Sequence, residues 1–286
     1  IKVPYTDLPL QNKPIKKQLM KAIESVLDSG QYILGREVAL FEKEFARYCG
    51  VPFSVGVSNG TSALYLVLKA WGIGPGDEVI TSPNSFVASA SSIALTGAKP
   101  VFVDVGSDMN MRPDLLEHAI NSRTRAVMPV HLSGRPAKMD EILKIACKHK
   151  IKVLEDAAQS VGASLNGKRV GSFGDASCFS LHPLKNLHAF GDGGMITTPD
   201  PFLYEYLKKS RNHGLANRDT CDFWSFNCRL DEMQAAMLRV QLKQLDARTK
   251  ERRRLAFRYN AALKSHVRVP EEAKEEFCVY QTYMIR

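Results

Sequence analysis

The feature that most constrains the fold of this chain is a regular alternation of short apolar runs with longer segments of helical periodicity. Seven runs are rich in β-branched residues and follow glycine or proline signals, which is typical of buried strands. They begin at or near Phe53, Glu78, Pro100, Arg125, Ile151, Ala176 and Gly194. Because parallel strands need long crossover connections, the alternation predicts an α/β fold with a mostly parallel seven-stranded sheet and crossover helices.

The two ends of the chain lie outside this alternation. The first forty residues contain helix-period segments and predict a helical arm. From Leu230 the pattern indicates one long helix, followed by a strand from Phe277. We therefore predict two domains. Residues 1–229 form the arm and a large α/β domain, and residues 230–286 begin a smaller C-terminal α+β domain.

Composition excludes some classes of protein. No apolar run approaches the roughly 20 residues that span a bilayer, and the N-terminus has no apolar signal core. We therefore expect a cytoplasmic protein that does not bind membranes. The six cysteines are scattered, without a C-x-x-C pair or a histidine at zinc-ligand spacing. This spacing favours reduced, structural thiols and predicts no metal site.

The formal net charge of +9 suits a phosphorylated small substrate as well as nucleic acid. The densest basic run begins at Lys250 in a strongly helical segment. We interpret it as a solvated helix face, because it lacks the interleaved aromatic residues that stack on bases. No nucleic-acid partner is expected.

Chemistry-bearing residues follow three of the predicted strands. Ligands of open parallel sheets bind outside the carboxyl ends of the strands. Asp156 follows one strand, with Gln159 one turn later, and Lys185 follows the next. The turn Ser58–Ser62 leads from the first strand into a helix and offers N–H groups to a phosphate. Each feature has an ordinary alternative, since the turn and Asp156 are also good helix caps and Lys185 is also a plausible loop lysine.

Together these features match the requirements of pyridoxal 5′-phosphate. Its aldehyde needs an amine, its pyridine nitrogen needs an anionic partner, and its phosphate needs a nest of donors. Lys185, Asp156 and the turn Ser58–Ser62 supply all three. Phe86, after another strand end, either stacks on the ring or belongs to the core.

Six motifs occur in one order along nearly the whole chain. They are DSGQYILGREVALFEKEFARYCG, SNGTSAL, DEVITSPNSFVASASSI, VLEDAAQSVGA, FSLHPLKNLHAFGDGGMITT and NCRLDEMQAAMLRVQL. In these motifs the chain resembles the DegT/StrS family of fold type I, pyridoxal-phosphate-dependent sugar aminotransferases. Members of that family continue beyond the last residues of this chain, so the C-terminal domain is expected to be incomplete.

The resemblance implies a role for each matching residue. Lys185 is the lysine that bonds the cofactor aldehyde, Asp156 is the partner of the pyridine nitrogen, and Gln159 lies beside the ring hydroxyl. Phe86 is the aromatic residue that stacks on the ring. The phosphate ligands expected from the same subunit are Gly60, Thr61, Ser62 and Ser180. Asn227 is expected to reach the phosphate from the partner subunit of a homodimer with shared active sites.

The expected function also follows from the resemblance. One branch of the family has histidine in place of the lysine and performs dehydration, so Lys185 favours transamination. We expect transfer of an amino group from an amino acid, with glutamate favoured, to a keto-sugar that is nucleotide-linked. His182 is either a loop histidine or a substrate contact. The alternatives are a sugar dehydratase or lyase on the same fold and a non-catalytic, cofactor-binding regulatory protein.

Overall fold

Ten α-helices are present in Pro4 and residues 6–286, the part of the chain that this computed structural model describes. In chain order they are α1 (Leu8–Asn12), α2 (Lys16–Ser29), α3 (Arg36–Cys49), α4 (Gly60–Ala70), α5 (Val87–Leu95), α6 (Pro113–Ala119), α7 (Met139–His149), α8 (Pro201–Ser210), α9 (Glu232–Leu242) and α10 (Leu245–Leu263). No helix within these described residues is long and apolar enough to span a bilayer.

The same part of the chain contains twelve strands. They are β1 (Phe53–Val57), β2 (Glu78–Thr81), β3 (Lys99–Phe102), β4 (Thr124–Met128), β5 (Lys152–Asp156), β6 (Ser164–Leu165), β7 (Lys168–Arg169), β8 (Ala176–Ser180), β9 (Gly194–Thr198), β10 (Leu215–Asn217), β11 (Thr220–Cys221) and β12 (Glu276–Phe277).

Seven of the strands form one sheet in the order β1-β9-β8-β5-β4-β2-β3. Strand β9 is antiparallel to both of its neighbours, β1 and β8, and the other adjacent pairs are parallel. Two antiparallel steps restore the direction, so β1 runs the same way as β8 and β5. All seven predicted strands are in this sheet, which confirms the predicted α/β class. The carboxyl ends of six strands meet at one edge.

Helices cover both faces of the sheet because alternate side chains of each strand point to opposite sides. On β5, Leu154 packs in a core with α4 and α8, whereas Val153 packs in a core with α6 and α7. Phe179 of β8 contacts Phe45 of α3 edge to face, with ring centroids 5.0 Å apart, and shares a third core with α9. Burying one such side chain contributes about 1.5 to 3 kcal/mol.

The predicted helical arm is present as α2 and α3. Helix α3 places Val38, Phe41 and Phe45 on one buried stripe, as helical periodicity requires. Its N-cap, Gly35, has no side chain to bind the free N–H groups of the first turn. The buried carboxylate of Glu232 does so instead, and accepts hydrogen bonds from residues 35, 37 and 38 at 2.7 to 2.9 Å.

Two local predictions for the C-terminal part are wrong. The single long helix is two helices, interrupted at Lys243 and Gln244. Leu245 lies in the core with α3 and α9, and farther along α10 Ala256 packs on the last segment of the chain. These tertiary contacts override the continuous helical pattern. The domain boundary between residues 229 and 230 stays a prediction. Met237 of α9, on the C-terminal side of that boundary, packs against the helical arm.

The strand predicted from Phe277 is also mostly absent. Strand pairing ends at Phe277, which pairs with Ser164. Beyond it Val279 is fully buried and donates its N–H to the Gly134 carbonyl at 2.9 Å. Tyr280 has a φ of 47°, in the left-handed region, which an extended strand does not allow.

Candidate active site

The edge where the strands end brings the predicted residues into one region. Asp156 is the last residue of β5 and lies beside Cys178 of the neighbouring strand β8. Ser180 ends β8, and the first residue of α4, Gly60, lies directly against it. The turn after β1 is tied down because the Ser58 N–H donates to the Cys228 carbonyl at 3.0 Å.

Asp156 is a buried carboxylate, with 4% of its surface exposed. Its Oδ2 accepts a hydrogen bond from the Ser89 hydroxyl at 2.6 Å, and its Oδ1 accepts one from the Ala158 N–H at 3.2 Å. No ion pair involves this carboxylate in the described part of the chain. Burying a charge without an opposite charge is costly, so the arrangement fits a cationic group of a ligand beside Asp156.

Lys185 lies in the loop after β8 and is half-buried. Burial lowers the pKa of its amine, and the nearby negative charge of Asp156 opposes that shift without cancelling it. Lys185 forms no ion pair with any residue from 6 to 286. A lysine with a lowered pKa has more of its amine in the neutral, nucleophilic form near neutral pH.

The N-terminus of α4 lies at the turn that is predicted to bind a phosphate. Asn59 caps the helix by accepting the Ser62 N–H at 2.8 Å, and the Ser58 hydroxyl donates to the Ser62 hydroxyl at 3.1 Å. The N–H groups of Gly60 and Thr61, in the first helical turn, have no intrahelical acceptor and suit an anion. A Cβ at position 60 would lie 2.9 Å from the Ser180 Cβ, so glycine permits this close approach of strand and helix.

Gln159 and Phe86, two further residues predicted to bind the cofactor, differ in their surroundings. The Gln159 Oε1 accepts the Ser133 N–H at 2.8 Å, which holds the side chain in place. Ser133 itself has a φ of 55°, so its backbone is turned into the left-handed region. Phe86 is 70% exposed. This exposure excludes the core alternative for Phe86 and leaves its ring available to stack on a ligand.

The remaining predicted residues lie close to the backbone turns of the site. Ser180 Oγ accepts the His182 N–H at 3.3 Å, and His182 Nδ1 accepts the Leu184 N–H at 3.3 Å. These contacts favour the loop interpretation of His182. Asn227 is exposed, and its backbone forms a β-bridge with that of Asn212. The next residue, Cys228, accepts the Ser58 N–H and so holds the turn after β1.

The structure adds contacts that sequence reasoning missed. Ser89 lies within the motif DEVITSPNSFVASASSI, but its role depends on Asp156, a partner 67 residues away. Glu155, next to Asp156, points to the opposite face and pairs with His131 at 3.0 Å, both side chains being fully buried. Burial alone would raise the pKa of Glu155, but hydrogen bonds from His131, Ser177 and the Gly171 N–H lower it overall. The Glu155 carboxylate accepts N–H groups from residues 171, 173 and 174 and thereby holds the loop that precedes β8.

Two arginines form partly or fully buried ion pairs within the protein. Arg211 is 6% exposed and pairs with Glu42, which also accepts the Gly56 N–H at 2.7 Å. Arg135 pairs with Glu276 at 2.9 Å. Arg211 therefore has a structural role beneath β1.

The fold and the site together define a class of protein. Three groups lie at one edge of a mostly parallel sheet: a carboxylate that is buried and forms no ion pair with the described residues, a half-buried lysine with a lowered pKa, and the N-terminus of a helix. This set of groups fits pyridoxal 5′-phosphate and defines a fold type I enzyme of that cofactor. The assignment of each residue to a part of the cofactor stays a prediction.

Comparison with known proteins identifies the family. The chain belongs to the DegT/DnrJ/EryC1/StrS aminotransferase family, whose model matches residues 13–286. A dTDP-3-amino-3,4,6-trideoxy-alpha-D-glucose transaminase from Streptomyces venezuelae is 42% identical over 288 residues, which cover 100% of this chain and 76% of the relative. A protein from Geobacillus stearothermophilus named a pleiotropic regulatory protein is 42% identical over 289 residues, or 99% of this chain and 78% of the relative.

The fold agrees with solved structures at high similarity. The crystal structure of S. venezuelae DesV in complex with a ketimine intermediate matches with a TM-score of 0.97 at 42% identity. The match covers 100% of this chain and 78% of that one. The predicted family, fold type and cofactor are therefore confirmed.

Proposed function

We propose that this protein is a pyridoxal-phosphate-dependent aminotransferase that moves an amino group from an amino acid, with glutamate as the expected donor, to a nucleotide-linked keto-sugar in amino-sugar biosynthesis. The observation that carries the proposal is the proximity of the buried carboxylate of Asp156 to the half-buried amine of Lys185 at the sheet edge. The name of the S. venezuelae relative supports the substrate class.

When bound, the cofactor supplies an electron sink for the bond that is broken at the substrate carbon. The chain supplies the proton transfers and the positioning. With the cofactor bound, the amine of Lys185, with its lowered pKa, would move a proton between the substrate carbon and a carbon of the cofactor. Asp156, fixed by Ser89 and the Ala158 N–H, would place a negative charge beside the ring nitrogen.

Other residues bind and orient the cofactor. The N-terminus of α4, from Gly60 to Ser62, would hold the phosphate together with Ser180, and Phe86 would stack on the ring. The positive net charge of the chain raises the local concentration of a diphosphate substrate. The cytoplasmic location and the homodimer stay predictions.

The function is tested by incubating the protein with glutamate and a panel of nucleotide-linked keto-sugars while following the visible spectrum of the cofactor. The expected result is an amino sugar and 2-oxoglutarate in equal amounts, identified by mass spectrometry. Loss of water or release of ammonia without 2-oxoglutarate contradicts transamination and supports a dehydratase or lyase. Cofactor binding without turnover of any substrate supports the regulatory alternative, which the name of the Geobacillus relative raises.

The proposed shared active site is tested through Asn227. Losing one hydrogen bond to a charged phosphate costs roughly 1.5 to 3 kcal/mol, so Asn227→Ala is expected to weaken cofactor affinity about tenfold to a hundredfold. The side chain is exposed, so the variant is expected to fold normally. Lys185→Ala is expected to fail at every cofactor concentration.

Refolding the two variants together separates a shared site from a site within one subunit. If Asn227 acts on the partner's site, half of the molecules are mixed dimers with one fully wild-type site. Activity at low cofactor concentration then rises towards about a quarter of the wild-type value for random exchange and independent sites. If subunit exchange is verified and activity does not rise, Asn227 does not act across the dimer.

A further inference from the structure

The backbone on both sides of Lys185 is held by one side chain from the far end of the chain. The Gln281 Nε2 donates a hydrogen bond to the Leu184 carbonyl at 2.7 Å, and its Oε1 accepts the Asn186 N–H at 2.9 Å. The two partners fix the orientation of the amide, because a carbonyl needs a donor and an N–H needs an acceptor. Gln281 thus brackets the residue that carries the amine.

Gln281 is itself held on an anchored segment. The Val279 N–H donates to the Gly134 carbonyl at 2.9 Å, and the Val279 side chain is fully buried. The left-handed backbone of Tyr280 then turns the chain so that the next residue reaches the loop of Lys185. The Tyr280 hydroxyl contacts Glu272 at 3.0 Å. Gly134 approaches this segment closely, since a Cβ there would lie 3.0 Å from the Gln281 nitrogen.

Two other glutamines contact the same loop, but farther along it. Gln241 donates to the His188 carbonyl at 3.2 Å, and Gln234 accepts the Phe190 N–H at 2.7 Å. Neither contacts the residues that flank Lys185. The Lys185 N–H also donates to the His182 carbonyl at 2.8 Å, and the Asn186 Nδ2 donates to the Val279 carbonyl at 3.4 Å. Gln281 adds a hydrogen bond to the peptide group on each side of Lys185, and Gln234 offers a matched control on the same loop.

We propose that Gln281 is a positioning residue for Lys185, which couples the last segment of the chain to the geometry of the catalytic amine. The proposal rests on the proposed function, in which Lys185 bonds the cofactor and transfers protons. Gln281 does not touch the reacting atoms. It acts by fixing the two peptide groups on either side of Lys185, and displacement of a reacting group by about 1 Å is enough to slow catalysis about a hundredfold.

The test compares Gln281→Leu, which removes both hydrogen bonds, with Gln234→Leu, which removes one from the same loop. Gln281→Leu is expected to lower kcat about tenfold to a hundredfold, with KM for the amino donor changed less than about threefold. Gln234→Leu is expected to retain kcat within about twofold. Thermal unfolding of both variants identifies any general loss of structure.

Two measurements on the cofactor-free protein complete the test. Hydrogen exchange at the Asn186 amide is expected to accelerate at least about tenfold in Gln281→Leu, because its acceptor is lost. The pH profile of Lys185 acylation, read by mass spectrometry, is expected to shift to higher pH, because a displaced amine is less buried and its pKa rises towards the ordinary value.

The proposal is overturned if Gln281→Leu leaves the acylation profile of Lys185 unchanged, or if it matches Gln234→Leu in kcat. Both cofactor-free measurements are made on protein that need not turn over a substrate. They therefore test Gln281 even if the wild-type protein fails to transaminate the sugars, an outcome that contradicts only the proposed function.

Discussion

Replacing Lys185 with alanine is expected to lower transamination by about 10⁴-fold or more, at every concentration of pyridoxal 5′-phosphate. The loss is large because the same amine bonds the cofactor and carries the proton, and proton transfer by a positioned group contributes up to about 10⁴-fold by itself. Single-turnover kinetics with the best sugar substrate measure the effect. Added cofactor does not restore the rate, because the missing group is on the protein.

The same prediction has a covalent readout in the wild-type protein. Borohydride reduction is expected to fix the cofactor on Lys185, and peptide mapping identifies the modified residue. Lys208→Ala is the control, since Lys208 lies on α8 in a partly exposed ion pair with Glu205 and is expected to be neutral for activity. A label on a different lysine removes the basis of the proposed chemistry.

Replacing Asp156 with asparagine is expected to lower kcat about 10²- to 10³-fold while the protein keeps its fold and binds its cofactor. An amide oxygen still accepts the Ser89 hydroxyl, but it carries no charge to stabilise a protonated ring nitrogen. Removing one preorganised electrostatic group from an active site commonly costs about 3 to 4 kcal/mol in the transition state. The visible spectrum reports cofactor binding, and steady-state kinetics report the loss.

The same variant has a pH signature in the cofactor-free protein. Burial lowers the pKa of Lys185 and the charge of Asp156 partly opposes it, so removing that charge is expected to lower the pKa further. Acylation of Lys185 then begins at lower pH in Asp156→Asn than in wild type. Asp114→Asn, at an exposed ion pair with Arg112, is the control and leaves the profile unchanged. An unchanged profile in Asp156→Asn indicates that the two groups do not interact.

The sheet and the outline of the site are predictable because their signals are local. Each of the seven strands has its own apolar run, and strand direction alone brings Asp156 and the turn before α4 to one edge. The residues of this turn are typical of a helix cap, and the hydrogen bond from the Ser62 N–H to the Asn59 side chain confirms the cap.

The features that escaped prediction depend on partners distant in the chain. Ser89 supports Asp156 across 67 residues, and Gln281 reaches the Lys185 loop across 95 and 97 residues. The sequence around Ser89 or Gln281 contains no periodic pattern that distinguishes a side chain with a distant partner from one that is solvated. The break between α9 and α10 is similar, since the continuous helical pattern is overruled by where Leu245 packs.

The carboxylate of Glu232 that caps α3 has a consequence for synthesis on the ribosome. Its nearest partner along the chain lies 194 residues before it and its farthest 197, so α3 emerges long before the group that completes its first turn. At roughly 5 to 20 residues per second, the nascent helix waits about 10 to 40 s for that carboxylate. During this interval the apolar stripe of α3 also lacks α9, which makes the early chain a natural client for chaperones that shield exposed apolar surface.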